Sequence, residues 1–272
     1  MTSVDSAEWA HRFEDKVAVV TGSSSGHGRA IALRLAREGA ALVCVDLRKE
    51  PLAGGFEADL LDTDDVIRKN GGRAIFVRAD VTSPDELTAV GDATMSEFGR
   101  MDLWVNNAGV SLGFASILDE SDEQFERTMD INLKGTWNGA REAARRMVGR
   151  EPDGRVRGRI VNIGSIAGSI GQKDLGGYSA SKGAVHNLTW NLAVELADSL
   201  ITVNAVAPGY FPTAMNRTLW DDPEALAAVQ ALHPLPLGVP EDIAAAVAFL
   251  GSADADFITG AILPVDGGMA AK

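Results

Sequence analysis

The chain has 272 residues, 46% of them hydrophobic, which is enough for one sizeable α/β domain or two small ones. A formal net charge of −13 speaks against a nucleic-acid or anionic-membrane partner, since both are held by basic patches. The single cysteine, Cys44, leaves no disulfide framework, and the four histidines, His11, His27, His186 and His233, show no metal-ligand spacing.

Residues 1–15 are polar and acidic with no apolar leader, and no run is long and apolar enough to span a bilayer, so a cytoplasmic protein is expected. From residue 16 onward, short apolar runs alternate with helical patterns. Residues 16–21 read as a buried strand, followed by a glycine-rich turn and an amphipathic helix over 26–38. The second strand is 41–45. An irregular stretch at 47–58, broken by Pro51 and Gly54-Gly55, leads to a helix from Asp59 to Lys69 and a third strand at 74–77. Ser83 as N-cap, Pro84 at the first helical position and Glu86 as capping glutamate open a helix that ends near Gly99. The fourth strand is 103–105. A second capping pattern, from Ser121 to Gln124, opens one long helix through Met129 and Ala140 to about Met147. After a turn at 151–154 come the fifth strand, 159–163, a helix carrying Tyr178 to about Asp198, and the sixth strand, 201–206. Helices over 223–232 and 240–250 and a last strand at 261–265 complete the chain. All-apolar strands between helices imply a parallel sheet covered on both faces. The expected fold is a single-domain, Rossmann-type α/β protein: a doubly wound sheet of about seven parallel strands over residues 15–272, with an N-terminal extension at 1–14.

Three stretches carry chemistry. Gly22, Gly26 and Gly28 form a G-x-x-x-G-x-G turn between the first strand and its helix. Such a turn lets a pyrophosphate approach the backbone and the free amides of a helix start. Asp46 ends the second strand eighteen residues beyond Gly28, where a carboxylate accepts from ribose hydroxyls and repels a 2′-phosphate. This favours NAD over NADP; Arg48 is the counter-evidence, and Ser25 adds no positive charge to the turn. Asp80, closing the third strand, is either an acceptor for an adenine amine or a helix-side acid beside Ser83. Asn106-Asn107-Ala108-Gly109 lies where the crevice of a doubly wound sheet opens, and its small residues would let a dinucleotide lie against the backbone. Finally, Tyr178 and Lys182 stand four apart on one helix face, with Ser165 thirteen residues earlier. An ammonium beside a phenol favours the phenolate, and a serine opposite could bond the same reacting oxygen.

Together these motifs resemble the short-chain dehydrogenases/reductases over residues 16–268, the match adding Asn132, Pro208-Gly209 and the Asp266-Gly267-Gly268 tail. The resemblance implies a catalytic set of Asn132, Ser165, Tyr178 and Lys182. Tyr178 is the acid/base, and Lys182 lowers its pKa and holds the nicotinamide ribose. Ser165 steadies the reacting oxygen, and Asn132 bends its helix and holds a water. It further implies cofactor contacts from Gly22, Ser24, Ser25, Gly26, His27, Gly28, Asp46, Asp80, Val81, Asn107, Ala108, Gly109, Pro208, Gly209 and Thr213. His27 departs from the family's bulky aliphatic residue: either a neutral ring fills that space, or a protonated one makes NAD affinity pH-dependent. Asp198-Ser199-Leu200 lacks the arginine that carrier-protein reductases of this family show.

The substrate lid falls at 210–237. Its apolar residues, Phe211, Met215, Leu219, Trp220, Leu226, Val229 and Leu232, would face Leu112 and Phe114, favouring an apolar or aromatic secondary alcohol or ketone; for Leu226, Val229 and Leu232 core packing is the alternative. Gln172 and Lys173 offer polar contacts at the mouth. By the resemblance, Trp137 and Trp190 lie on the helices of a dimer interface within a homotetramer. Two other readings remain: an NADPH-dependent 3-oxoacyl reductase, and a non-catalytic dinucleotide-sensing protein.

Overall fold

The computed structural model of the chain describes residues 11–57 and 60–271. Its elements are β1 (Val17–Thr21), α1 (Gly26–Arg37), β2 (Ala41–Asp46), α2 (Thr63–Lys69), β3 (Ala74–Arg78), α3 (Pro84–Phe98), β4 (Leu103–Asn106) and α4 (Asp122–Met129). They continue with α5 (Gly135–Met147), β5 (Gly158–Ile163), α6 (Gly176–Glu195), β6 (Ile201–Pro208), α7 (Arg217–Asp221), α8 (Pro223–Leu232), α9 (Pro240–Leu250) and β7 (Ile262–Val265).

The seven strands form one parallel sheet in the order β3-β2-β1-β4-β5-β6-β7. The chain winds outward from β1 to β3, then returns to β4 beside β1, pairing Val20 with Val105. That reversal is the topological switch point, and a crevice opens there at the carboxyl ends of the strands. Alternation along β1 supplies both faces of the core. Ala18 and Val20 pack with Ile31 and Leu35 of α1 and Ile243 and Val247 of α9. Val17 and Val19 pack with Leu87 and Val90 of α3 and Ala140 and Ala143 of α5. The single-domain, doubly wound expectation holds.

Several boundaries differ. The long helix expected after Ser121 is interrupted by a π-helical turn, Asp130–Lys134, which joins α4 to α5. Its cause is tertiary: Asn132 is fully buried and binds residues outside its own helix. Within the described residues α2 opens at Thr63; the start expected at Asp59, like residues 1–10, 58 and 272, lies outside them. The body also begins before residue 15. Phe13 is buried in the core, its N–H donates to the Glu38 carbonyl at 2.9 Å, and Arg12 pairs with the Glu38 carboxylate at 2.7 Å.

Candidate active site

The glycine turn is stitched to β4 across the switch point. Asn107 Nδ2 donates to the carbonyls of Thr21 (2.8 Å) and Gly22 (3.1 Å), and Thr21 Oγ1 accepts from the amides of Asn107 (3.0 Å) and Ala108 (3.1 Å). Gly28 must be glycine here, because a Cβ would fall 2.0 Å from the Gly22 carbonyl oxygen. Gly26 takes a left-handed φ of 54°, and a Cβ on it would point at Thr213 Cγ2, 3.3 Å away. Thr213 thus sits against the turn, beside the groove that opens at the switch point.

At the groove's far end, Asp46 Oδ2 accepts from the Ser24 amide (3.1 Å) and Oδ1 from the Leu47 amide (2.8 Å). A carboxylate offers about four acceptor positions, so two hydroxyls can still be met. Ser24 Oγ donates to the Arg48 carbonyl at 2.7 Å, while Ser25 Oγ accepts from the Leu52 amide at 2.6 Å. Asp80 Oδ1 accepts from the amide (2.9 Å) and hydroxyl (2.8 Å) of Thr82, closing a local turn. Val81 is buried beneath Gly135 and its carbonyl accepts from Asn138 Nδ2 at 3.1 Å. A glycine cradle closed to any Cβ, ending at a carboxylate with unused acceptor positions, fits a dinucleotide.

His27 packs edge-on against Phe211, ring centroids 5.2 Å apart. Burial, with the Lys182 charge second, pulls its pKa down to about 4. Without a bound nucleotide the ring is therefore neutral near pH 7 and fills the space of an aliphatic side chain.

Tyr178 and Lys182 lie one turn apart on α6, with Lys182 Nζ 5.8 Å from the Tyr178 ring centroid. Lys182 donates to the Ile163 carbonyl at 2.8 Å, and burial lowers its pKa to about 8. Burial pushes the Tyr178 phenol above its ordinary value; a hydrogen bond with Ser165 opposes the rise, and Tyr210 adds to it. Ser165 ends β5's exit turn, its Oγ accepting from the Ala167 amide at 3.1 Å. Asn132 Oδ1 accepts from the Val110 amide (2.8 Å), and Nδ2 donates to the Val110 carbonyl (2.9 Å) and Ser181 Oγ (3.0 Å). Its carbonyl accepts from Thr136 Oγ1 at 2.7 Å. Asn132 therefore locks the α4–α5 junction to α6 beside Lys182. Gly109 adjoins both, since a Cβ there would lie 3.5 Å from Lys182 Nζ.

Beside Tyr178 and Ser165 opens a small cleft of ≈ 50 Å³, continuous with solvent and lined by Phe114, Ile166, Leu175, Tyr210 and Met215, with Ser111, Gln172, Gly209 and Asn216 at its wall. Pro208 pairs with Val265 in the sheet, and the Gly209 amide donates to the Val265 carbonyl at 3.0 Å. Of the apolar lid residues expected here Met215 lines this cleft, with Tyr210 and Asn216 of the same segment. Phe211 and Val229 are buried as packing residues, Leu219, Leu226 and Leu232 lie off the lining, and Trp220 meets Phe56, centroids 6.3 Å apart. Leu112 borders a smaller recess on the other side of Tyr178, and Lys173 is exposed away from the cleft.

Apart from Asn106, the residues of a second set of positioning contacts escaped the sequence reading. A buried chain runs from Trp104 Nε1 to Asn106 Oδ1 (2.7 Å), Asn106 Nδ2 to Asn162 Oδ1 (2.9 Å) and Asn162 Nδ2 to Thr189 Oγ1 (3.0 Å), tying β4 and β5 to α6. Asparagines inside apolar strands were the available signal. Glu120 Oε2 accepts from the Gly177 amide at the start of α6 (3.0 Å), and Glu57 Oε1 accepts from the Gly26 amide in the nucleotide turn (2.7 Å); nothing in the local pattern marks either. Among the described residues, the acids close enough to share a cation are Asp62, Asp64 and Asp65, and Lys49 Nζ already stands within 3.1 to 3.3 Å of each. No described helix is long and apolar enough to cross a membrane.

Sheet order and groove define a nucleotide-binding α/β protein. A family model described as Enoyl-(Acyl carrier protein) reductase matches residues 22–270. The chain is 41% identical over 255 residues to 3beta-hydroxysteroid dehydrogenase 1 of Eggerthella lenta, covering 93% of each. It is 41% identical to cis-4-hydroxycyclohexanecarboxylate dehydrogenase of Sinomonas cyclohexanicum, covering 95% of this chain and 98% of that one. A short-chain type dehydrogenase/reductase from Mycobacterium ulcerans superposes with a TM-score of 0.85 at 33% identity, over 96% of this chain and 91% of that one. The chain belongs to the short-chain dehydrogenase/reductase family, NAD(P)-dependent oxidoreductases of CH–OH groups.

Proposed function

We propose that the protein moves a hydride between NAD(H) and an apolar, ring-bearing secondary alcohol or its ketone, with Tyr178 as the acid/base. The observation that supports it most is a cleft with apolar walls that opens beside Tyr178 and Ser165, the pair joined by a hydrogen bond. Bound nicotinamide supplies or accepts the hydride; the chain supplies position and proton transfer. Asp46 receives the adenosine ribose hydroxyls and repels a 2′-phosphate. Ser24, Ser25, Asp80, Val81 and Thr213 border the same groove. Lys182, charged below about pH 8, holds the nicotinamide ribose through its ammonium group.

In ketone reduction, Tyr178 protonates the nascent alkoxide while the Ser165 hydroxyl donates to the same oxygen. Alcohol oxidation reverses this and needs the phenolate. Because the phenol lies above its ordinary value, the acid is the resting form, so reduction is favoured at neutral pH and oxidation rises with pH. Asn132 keeps the α4–α5 junction and α6 in register. The rest of the reading is one domain with a lid at 210–237, a homotetramer, and a cytoplasmic location.

The test is NADH and NADPH consumption over a panel of alicyclic and aromatic ketones, with Tyr178→Phe alongside. Expected are turnover with NADH well above NADPH, and a loss in Tyr178→Phe of about 10³-fold in kcat with NADH binding retained. Retained activity in Tyr178→Phe would overturn the assignment of the proton.

A further inference from the structure

The cleft beside Tyr178 is walled by the apolar side chains of Phe114, Ile166, Leu175 and Met215 and by neutral polar ones, Ser111, Gln172, Tyr210 and Asn216 among them, and no charged residue lines it. One side-chain donor in that wall is fully covered and has no hydrogen-bond partner: Gln172 Nε2. The other end of the amide is held, since Gln172 Oε1 accepts from the Tyr210 hydroxyl at 3.4 Å. Tyr210 is itself braced edge-on against buried His233, ring centroids 6.1 Å apart. Burial keeps the Tyr210 phenol above its ordinary value, so it stays protonated; its hydroxyl donates to Oε1, and Nε2 is the end of the amide left without a partner. An N–H oriented in this way and unmatched in an apolar wall favours any ligand that brings it an acceptor.

Resting on the reading that this cleft takes a ring-bearing alcohol or ketone, we infer that Gln172 is a specificity residue whose Nε2 binds a second, neutral oxygen of the substrate. That oxygen is a carbonyl, ether or ester oxygen carried by the apolar frame away from the reacting carbon. A neutral acceptor is favoured over a carboxylate because nothing charged in the cleft would compensate an anion removed from water. Tyr210 is then a positioning residue, acting on substrate choice through Gln172. The arrangement explains why an apolar cleft retains an amide, and it separates two substrates of equal size by one oxygen.

The experiment compares cyclohexanone with cyclohexane-1,4-dione, both reduced with NADH, and reads the ratio of their kcat/KM values. The ratio is internal to each preparation, so a loss of folded enzyme cancels. The dione's greater intrinsic reactivity and its two equivalent carbonyls are set by the ratio in Gln172→Leu. Wild type is expected to exceed that baseline by roughly fivefold to tenfold, chiefly through KM. Gln172→Glu keeps the shape and the Tyr210 bond but presents an acceptor to an acceptor, so its ratio should fall below the Gln172→Leu value. Tyr210→Phe should fall between wild type and Gln172→Leu. Equal ratios in wild type and Gln172→Leu would overturn the inference while leaving the alicyclic-ketone reading intact. Preference of wild type for 4-oxocyclohexanecarboxylate over the dione would overturn the neutral-oxygen assignment. No turnover of either neutral ketone by wild type would remove the functional reading and this inference with it.

Discussion

Lys182 couples the chemistry of the site to the stability of the fold. In the folded chain burial holds its pKa at about 8, against an ordinary value of 10.5. Below pH 8 both folded and unfolded chains carry the proton, and the folded one bears the whole cost of a buried charge. Between 8 and 10.5 the unfolded chain binds more protons, so stability rises with pH and the cost is gone above that window. Lys182→Met should therefore raise the thermal midpoint at pH 7. The gain is on the order of 2 kcal/mol after the lost bond to the Ile163 carbonyl is deducted, or roughly 4 °C for a chain of this size. The gap between variant and wild type should hold up to about pH 8 and narrow from there to pH 10. Unfolding scans at those two pH values decide it, and a constant gap would mean that the buried ammonium is not the cause. Tyr178, Lys182 and Ser165 were readable in the sequence because helical spacing puts the first two on one face and the glycine turn, Asp46 and the other motifs of the family stand around them in order. Their protonation was not, because the direction of a pKa shift depends on burial, which only the packed structure supplies. The neutral state of His27 is an instance of the same limit.

Where an element's boundary has a local cause, it was legible. Pro84, Pro223 and Pro240 each sit at the first position of a helix, and the three helices open where those residues stand. The π turn at Asp130–Lys134 was not legible, because it follows from Asn132 reaching Val110 and Ser181, contacts made by distant parts of the chain. Short α7 was missed too, and with it the connection between β2 and α2 becomes a strap rather than a loop. Arg217 of α7 lies over the Phe56 ring at 4.7 Å and its Nη1 is 3.5 Å from the carbonyls of Gly54 and Gly55. Within the strap stands Glu57, whose carboxylate accepts from the Gly26 amide in the nucleotide turn. A carboxylate at that place repels a pyrophosphate and competes for the same helix start. Glu57→Gln should tighten NADH binding, by roughly threefold to tenfold at low salt and less at high salt. A fluorescence titration at two salt concentrations tests this; unchanged or weaker binding would show that the strap does not oppose the dinucleotide.

For the whole molecule, the net charge of −13 and the distribution of exposed apolar side chains pull in opposite directions. Like charge on every copy disfavours association, yet α5 exposes Trp137, and α6 exposes Trp190 and Val194 on one face, four residues apart. Val194 is 81% exposed and Trp190 52%, which is large for side chains of their kind on a helix whose opposite face is core. A contact through this face would be apolar in origin and resisted by charge. Assembly of the proposed homotetramer should consequently strengthen as salt rises, because screening removes the repulsion while apolar burial persists. An interface held by ion pairs would weaken instead. Sedimentation in about 10 mM and about 500 mM salt distinguishes the two. The double substitution Trp190→Arg with Val194→Arg should reduce the particle to a smaller species at both concentrations, since it places cations where two apolar faces would meet. It also makes the net charge less negative, so a simple charge mechanism predicts the reverse, a larger particle. Dissociation of this variant would thus assign the contact to the apolar face of α6 and not to the overall charge.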